Sequence, residues 1–135
     1  MYAPATNGYQ AYQRNKYETA SPHRLTLMLY DGGLRFIFQA RTALEQQQHA
    51  SAHQFLLKAQ DVIYELISSL NEREGGELAA NLKSIYLYII DILVQANMTK
   101  QAESLQEAAD LLTSIRQAWE QIGKEQVSST GTSYA

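Results

Sequence analysis

The chain lacks cysteine and has only two prolines among its 135 residues. Without cysteine there can be no disulfide and no thiolate metal site, and a reducing compartment is favoured, so we expect a cytoplasmic location. Both prolines, Pro4 and Pro22, lie near the N-terminus, which leaves the rest of the chain free of the strongest helix breaker. A chain of this length has room for one domain with its own core.

Strong positive charge and long apolar runs are also missing. The chain has 11 basic and 14 acidic residues, and its basic residues form no cluster dense enough to follow a phosphate backbone, so we expect no nucleic-acid partner. The longest apolar run, residues 85–94, has about half of the roughly 20 residues that a membrane span requires, and it contains Asp91. No charged-then-apolar segment opens the chain, so we expect neither membrane insertion nor a cleaved signal.

The pattern of apolar residues and caps predicts four long helices joined by short connections. Ser21 followed by Pro22 is a typical helix start, because the side chain caps a free N–H and proline needs none. The predicted helices run from Ser21 to about Gln47, from the capping box of Ser51 and Gln54 to about Leu70, from about Glu77 to Asn97, and from Thr99 to Gly123. Short connections favour antiparallel neighbours. We therefore predict an all-α fold, an antiparallel up-down four-helix bundle with a short N-terminal helix or arm.

The two ends of the chain differ in composition. Residues 1–20 contain four of the nine tyrosines, which is unusual for a disordered tail. Either this segment is an arm that lays phenol rings onto the bundle, or it is a packed N-terminal helix with no other role. Residues 124–135 are rich in Ser, Thr and Gly and are expected to be a disordered tail. The predicted organisation is thus an aromatic arm (1–20), a bundle (21–123) and a tail (124–135).

The first and third helices are apolar on more than one side. In the first, one stripe comprises Leu25, Leu29, Phe36, Ala40 and Ala43, and a second comprises Leu27, Tyr30, Leu34, Ile37 and Phe38. In the third, one face comprises Leu78, Leu82, Ile85, Ile89, Ile92 and Ala96, and another comprises Leu87, Ile90 and Val94. A helix that is apolar nearly all round must be covered. The cover is either the chain's own arm, a second copy, or a different polypeptide.

Enzymatic sites find little support in the residues. His49 and His53 are four residues apart, but a helix break expected near residue 50 would deny them a common face. The chain has no Glu-x-x-His motif for a di-iron bundle, no phosphate-binding glycine loop and no nucleophile with a recognisable base. We expect no enzyme activity and no metal or other cofactor.

Several short motifs follow one another along the chain. They are Tyr12-Gln13, Asn15, Ala20-Ser21-Pro22-His23-Arg24-Leu25, Met28-Leu29-Tyr30-Asp31-Gly32, Lys58-Ala59-Gln60-Asp61-Val62-Ile63, Glu65-Leu66, Ser69-Leu70-Asn71, Gly75-Gly76-Glu77-Leu78, Asn81-Leu82, Gln95-Ala96-Asn97 and Arg116-Gln117-Ala118-Trp119. In this order they resemble the motifs of the FliS family of flagellin-specific export chaperones. The similarity extends from about Tyr9 to Ile122. The third helix departs from the family pattern at Leu87, where an acid is usual, and at Asp91 and Ile92, where bases are usual.

The resemblance implies a cytoplasmic bundle that binds the disordered C-terminal region of flagellin, prevents early polymerisation and aids delivery to the type III export apparatus, without ATP or a cofactor. An export-gate component or a co-chaperone would be a further partner. The residues expected to bind partners are Tyr9, Tyr12, Tyr17, Leu27, Leu34, Phe38, Tyr86, Leu87, Ile90 and Val94. The alternative is a structural homodimeric bundle with no client, and a weak or arm-swapped homodimer is compatible with either interpretation.

Overall fold

The structure is a computed structural model that describes residues 21–134, except for the side chains at position 72 and beyond position 124. Within this range the secondary structure consists of four helices: α1 (Pro22–Glu45), α2 (His49–Ser68), α3 (Glu72–Thr99) and α4 (Leu105–Tyr134). The predicted all-α fold is confirmed. Tyr9, Tyr12 and Tyr17 lie outside the described residues, as does the rest of the predicted arm.

The helices form a ring in which each packs on two neighbours. α1 packs on α2 and α4, and α3 packs on the same two helices from the opposite side. Along α1, His23 stacks on Trp119, Gly33 faces Leu112, and Arg41 bonds to Gln106. Because numbers rise along α1 as they fall along α4, these two helices are antiparallel, and three-residue connections reverse the chain between α1 and α2 and between α2 and α3.

The core is more extensive than the separate apolar stripes predict. Its buried members include Leu27, Tyr30, Ile37, Ala40, Ala43 and Leu44 of α1, and Tyr86, Ile89, Ile90, Ile92, Leu93 and Ala96 of α3. In each of the two helices, the buried residues include members of both predicted stripes. A helix with one neighbour on each flank has a buried arc wider than a single stripe, so much of the apolar surface that the sequence counts as surplus is covered by the chain itself.

Three predicted helix boundaries are wrong. α2 begins at His49, with Gln48 rather than Ser51 at its N-cap and no side-chain cap, so His49 and His53 share one helix after all. Thr99 is the last residue of α3 and bonds back to the carbonyl of Gln95, instead of capping α4. α4 does not stop at Gly123 but continues to Tyr134 through the segment predicted to be a disordered tail. A glycine costs a helix only about 1 kcal/mol relative to alanine, so it need not end one.

One predicted boundary signal is confirmed, and a second is correct only in part. The Ser21 side chain accepts a hydrogen bond from the Arg24 N–H at 3.1 Å, and Pro22 follows it in the first turn. The sequence predicts a third helix from about Glu77, but α3 begins at Glu72, and the predicted boundary is instead a kink at Gly76, whose φ of 55° and ψ of −127° are not helical. Only glycine adopts this combination without strain. The four residues before Gly76 form one helical turn that is set at an angle to the rest of α3.

Within residues 21–134 no helix is long and apolar enough to cross a membrane. The same range contains no group of three or more His, Cys, Asp or Glu side chains that could hold a metal ion.

Candidate docking surfaces

The structure separates the predicted partner-binding residues into buried and exposed groups. Leu27, Tyr86 and Ile90 are buried in the core, because each lies on a flank of its helix that a neighbouring helix covers. Leu34 is partly buried against the core. The exposed members among the described residues are Phe38, Leu87 and Val94. Only the last two share a face, on the outer side of α3.

The most continuous exposed apolar surface runs along the outside of α2 and α3. We call it the α2–α3 stripe, and its members are Leu57, Tyr64, Leu87, Val94 and Met98, with exposures of 39%, 49%, 44%, 36% and 71%. The register of the two helices follows from the 2.8 Å contact between His53 Nδ1 and Asn97 Nδ2. Counting along the antiparallel pair from this contact brings Leu57 to the level of Leu93, next to Val94, and Tyr64 to the level of Tyr86, next to Leu87. The five side chains therefore form one strip about two to three turns long.

The opposite flank of α3, which faces α4, is polar by comparison. The Tyr88 hydroxyl donates a hydrogen bond to the Glu107 carboxylate at 2.8 Å. This bond, with smaller contributions from burial and the nearby charge, raises the pKa of the tyrosine. Of the exposed apolar side chains of α3, Leu87, Val94 and Met98 lie on the side next to α2, and Leu78 lies near the start of the helix.

A large cavity opens at the end of the bundle where α1 and α3 begin. This end cavity has a volume of about 950 Å³. Its walls are formed mainly by apolar side chains from all four helices: Leu25, Leu29, Leu66, Leu70, Leu78, Leu82, Trp119 and Ile122. Residues on both sides of the Gly76 kink line it, so the kink helps to shape its rim. Leu78, 65% exposed, is the most open large side chain of the lining.

Two of the residues that line the end cavity, His23 and Trp119, stack their rings on each other. The rings of His23 and Trp119 are 5.1 Å apart and 13° from parallel, and the Trp119 indole donates a hydrogen bond to the His23 carbonyl at 3.1 Å. Gly123 lies directly beneath the histidine, where an added Cβ would be 2.0 Å from the ring. The start of α1 and the later part of α4 are therefore fixed to each other at the point where residues 1–20 join the bundle.

A third, shallower depression of about 620 Å³ lies along the outer side of α1. Leu34, Phe38 and Phe55 provide its apolar lining, and Asp31 and Arg35 provide charge. The Arg41 guanidinium lies 5.1 Å from the centre of the Phe38 ring, which partly covers the exposed aromatic face. Of the predicted binding residues, this groove gathers Leu34 and Phe38.

Sequence reasoning missed several residues that line these surfaces. Leu57 and Tyr64 are seven residues apart on α2, a spacing that places both on one face, but the polar residues around them favoured a solvated face. The walls of the end cavity contain Leu29 and Leu82, which the sequence places on the apolar stripes of their helices, and also Trp119. No local signal distinguishes a core leucine from one at the open end of a bundle, because the difference depends on where the helices stop.

The fold and these surfaces define a small antiparallel helical bundle with solvent-open apolar grooves. Residues 5–126 match the profile of the family described as flagellar protein FliS, and the chain belongs to this family.

Curated relatives agree with the family assignment. The chain is 42% identical over 115 residues to the flagellar secretion chaperone FliS of Bacillus subtilis, a match that covers 85% of each protein. It is 38% identical over 121 residues to the FliS of Salmonella typhimurium, covering 86% of this chain and 90% of that one. The flagellar secretion chaperone FliSB of Pseudomonas aeruginosa is 39% identical over 103 residues, covering 76% of this chain and 82% of that protein.

Proposed function

We propose that this protein is a non-enzymatic, cytoplasmic chaperone of flagellar secretion that binds the disordered C-terminal segment of flagellin. Binding would prevent premature polymerisation and aid delivery to the export apparatus, where an export-gate component or a co-chaperone would be a further partner. The observation that carries the proposal is the α2–α3 stripe, an apolar strip left exposed on a chain whose relatives are named flagellar secretion chaperones. Contiguous exposed apolar surface on a small protein commonly marks an interaction site.

The shape of the stripe suits an amphipathic helix. A helix that lies in a groove contacts it through residues spaced by three, four and seven positions. The stripe presents Leu87, Val94 and Met98 of α3 at spacings of seven and four, flanked by Leu57 and Tyr64 of α2. A disordered client that folds on binding typically buries about 1,000–3,000 Å², so one strip would hold only part of it. The end cavity offers a second apolar surface for the same client.

The predicted arm would compete with the client for the end cavity. Residues 1–20 join the bundle at Ser21, and Pro22 and His23 line the cavity. Tyr17 is four residues before Ser21, so an extended chain spans at most about 14 Å between them. We therefore propose that the arm, with Tyr9, Tyr12 and Tyr17, covers the cavity while no client is bound. While the cavity is covered in this way, the protein is protected from self-association through it.

Isothermal titration with a peptide of the flagellin C-terminal segment tests the proposal. We expect a 1:1 complex, a negative heat-capacity change from burial of apolar surface, and a gain of helix by circular dichroism. The double variant Leu87→Glu/Val94→Glu places two charges on the stripe and is expected to weaken binding more than about tenfold, because each charge must lose water on docking.

The matched control is Ser84→Glu/Gln95→Glu, which adds the same charge at exposed polar positions of α3. This control is expected to keep wild-type affinity within about threefold, since rim charges contribute little. If wild-type protein fails to bind the peptide, or if both double variants bind equally well, the stripe is not the client surface. A concentration-independent dimer indifferent to the peptide would favour the structural homodimer instead.

A further inference from the structure

A pair of buried hydroxyl groups lies at the floor of the end cavity. Tyr30 of α1 and Tyr86 of α3 both line the cavity, and each is only 1% exposed. Their hydroxyl oxygens are 2.6 Å apart, which makes this a short hydrogen bond across the core between two helices that are not neighbours in the ring. Leucine is the most frequent residue of the lining, and the other polar side chains that line the cavity include those of Thr26, Glu65, Ser69, Asn71 and Glu74.

The hydrogen-bonding capacity of the pair is only partly used. Two phenols carry two hydrogens, and the bond between them uses one. Among the residues that the structure describes, no other group bonds to either hydroxyl. Burial raises the pKa of both tyrosines, so both retain their hydrogens at physiological pH. Within the part of the chain that the structure describes, one O–H of the pair therefore has no acceptor.

Other hydroxyl and amide side chains of the lining are committed to local partners. Thr26 donates to the carbonyl of Pro22, Ser69 donates to the carbonyl of Leu66, and Asn71 bonds to Glu74 within its capping turn. All of these bonds are local, at the helix ends that form the rim. The bond between the two tyrosines differs from these local bonds, since it joins two side chains from different helices and involves no backbone group.

We propose that the Tyr30–Tyr86 hydroxyl pair is a specificity element that favours a client segment bringing an oxygen acceptor to the floor of the end cavity. The inference rests on the proposed function and deepens it. A segment that fills the cavity expels water, and a buried O–H left without an acceptor is costly. A purely apolar segment would leave the hydroxyl without a hydrogen-bond acceptor. A segment that carries an acceptor beside its apolar residues would form a hydrogen bond with the hydroxyl.

The chemistry of the acceptor is restricted further by backbone geometry. Carbonyls in the middle of a helix are already bonded, while those of the last turn are free. The inserted element is therefore the C-terminal turn of a client helix, an extended stretch, or a helix with Ser, Thr, Asn or Gln at the inserted position.

The test compares Tyr30→Phe/Tyr86→Phe with wild type. Replacing both partners of a buried hydrogen bond by apolar groups of the same shape is nearly neutral for folding, so the double variant is expected to melt close to wild type. Its affinity for the flagellin C-terminal peptide is expected to fall about three- to tenfold, the value of one hydrogen bond. Tyr88→Phe, which removes an exposed hydroxyl that lies outside both the cavity lining and the α2–α3 stripe, is the control and is expected to bind the peptide about as wild type does.

A second measurement does not depend on flagellin. Cyclohexanone and methylcyclohexane are similar in size, but only the ketone accepts a hydrogen bond. NMR titration of the full chain is expected to show that Tyr30→Phe/Tyr86→Phe weakens binding of the ketone by about three- to tenfold relative to wild type, while binding of the hydrocarbon changes little. If the double variant binds the ketone and the peptide as wild type does, or if binding of both small molecules falls equally, the inference is overturned. If binding of the ketone alone falls but wild type does not bind the peptide, the proposed client is wrong, while the hydroxyl pair still acts as a hydrogen-bond donor.

Discussion

Gly33 sets how closely α1 approaches two of its neighbours. A Cβ at this position would be 3.1 Å from Leu112 Cδ2 of α4 and 3.3 Å from Val62 Cγ1 of α2. The adjacent Gly32 has no such restriction, because its Cβ would meet only Arg35 Nη2 at 3.9 Å. Two neighbouring glycines in one helix thus have different roles, one allowing a close crossing and the other without a packing requirement.

Substitutions at these two glycines are expected to change stability in opposite directions. Gly32→Ala should raise the free energy of unfolding by about 0.5–1 kcal/mol, since alanine restricts the unfolded chain and favours the helix. Gly33→Val should lower it by about 1–3 kcal/mol, because its methyl groups overpack the crossing. Urea denaturation followed by circular dichroism measures both. Equal effects of the two substitutions would mean that the crossing is looser than the structure has it.

Elements that the sequence identified correctly are those with local causes. The Ser21 cap and the helical content depend on residues within one or two turns, and both are present. The predicted start near Glu77 is correct only in part, since the chain kinks at Gly76 but α3 begins at Glu72. The start of α2 was missed because its N-cap, Gln48, makes no side-chain bond. The buried faces of α1 and α3 were divided wrongly because the width of a buried arc depends on how many helices surround it. Leu27 and Ile90 became core residues for that reason.

The kink in α3 leads to a prediction about a whole element. Gly76→Ala should lower the free energy of unfolding by about 1–3 kcal/mol, because alanine is strained at the φ and ψ found there. Packing is not involved, since nothing lies within 4 Å of the Cβ position. Gly32→Ala is the control for the same substitution in a regular helix, and chemical denaturation compares the two. A stabilised Gly76→Ala variant would show that α3 runs straight through this position.

At the scale of the whole described bundle, the three apolar surfaces named above lie on different parts of it. The α2–α3 stripe runs along one side, the end cavity lies at one end of the bundle, and the Phe38 groove follows the outside of α1. A single short helix could not occupy all of them. A client that binds several would have to pass around the bundle, which a disordered chain can do and a folded domain cannot.

Deleting residues 1–17 tests the proposed competition between arm and client. The truncated protein should bind the flagellin C-terminal peptide more tightly by about threefold or more, because the client no longer displaces a cover. It should also self-associate at lower concentration, since apolar surface is left open. Calorimetry and light scattering measure the two effects on the same samples. Unchanged affinity together with an unchanged oligomeric state would exclude the arm as a cover of the cavity.

The sequence contains one tryptophan, and Trp119 is part of the end-cavity lining. Its indole is partly buried and stacked on an imidazole, an environment to which fluorescence intensity and emission wavelength are sensitive. Any segment that enters the cavity changes the solvation of this one ring. The protein therefore carries an intrinsic optical reporter of occupancy, and filling and emptying of the cavity can be followed in real time without a label.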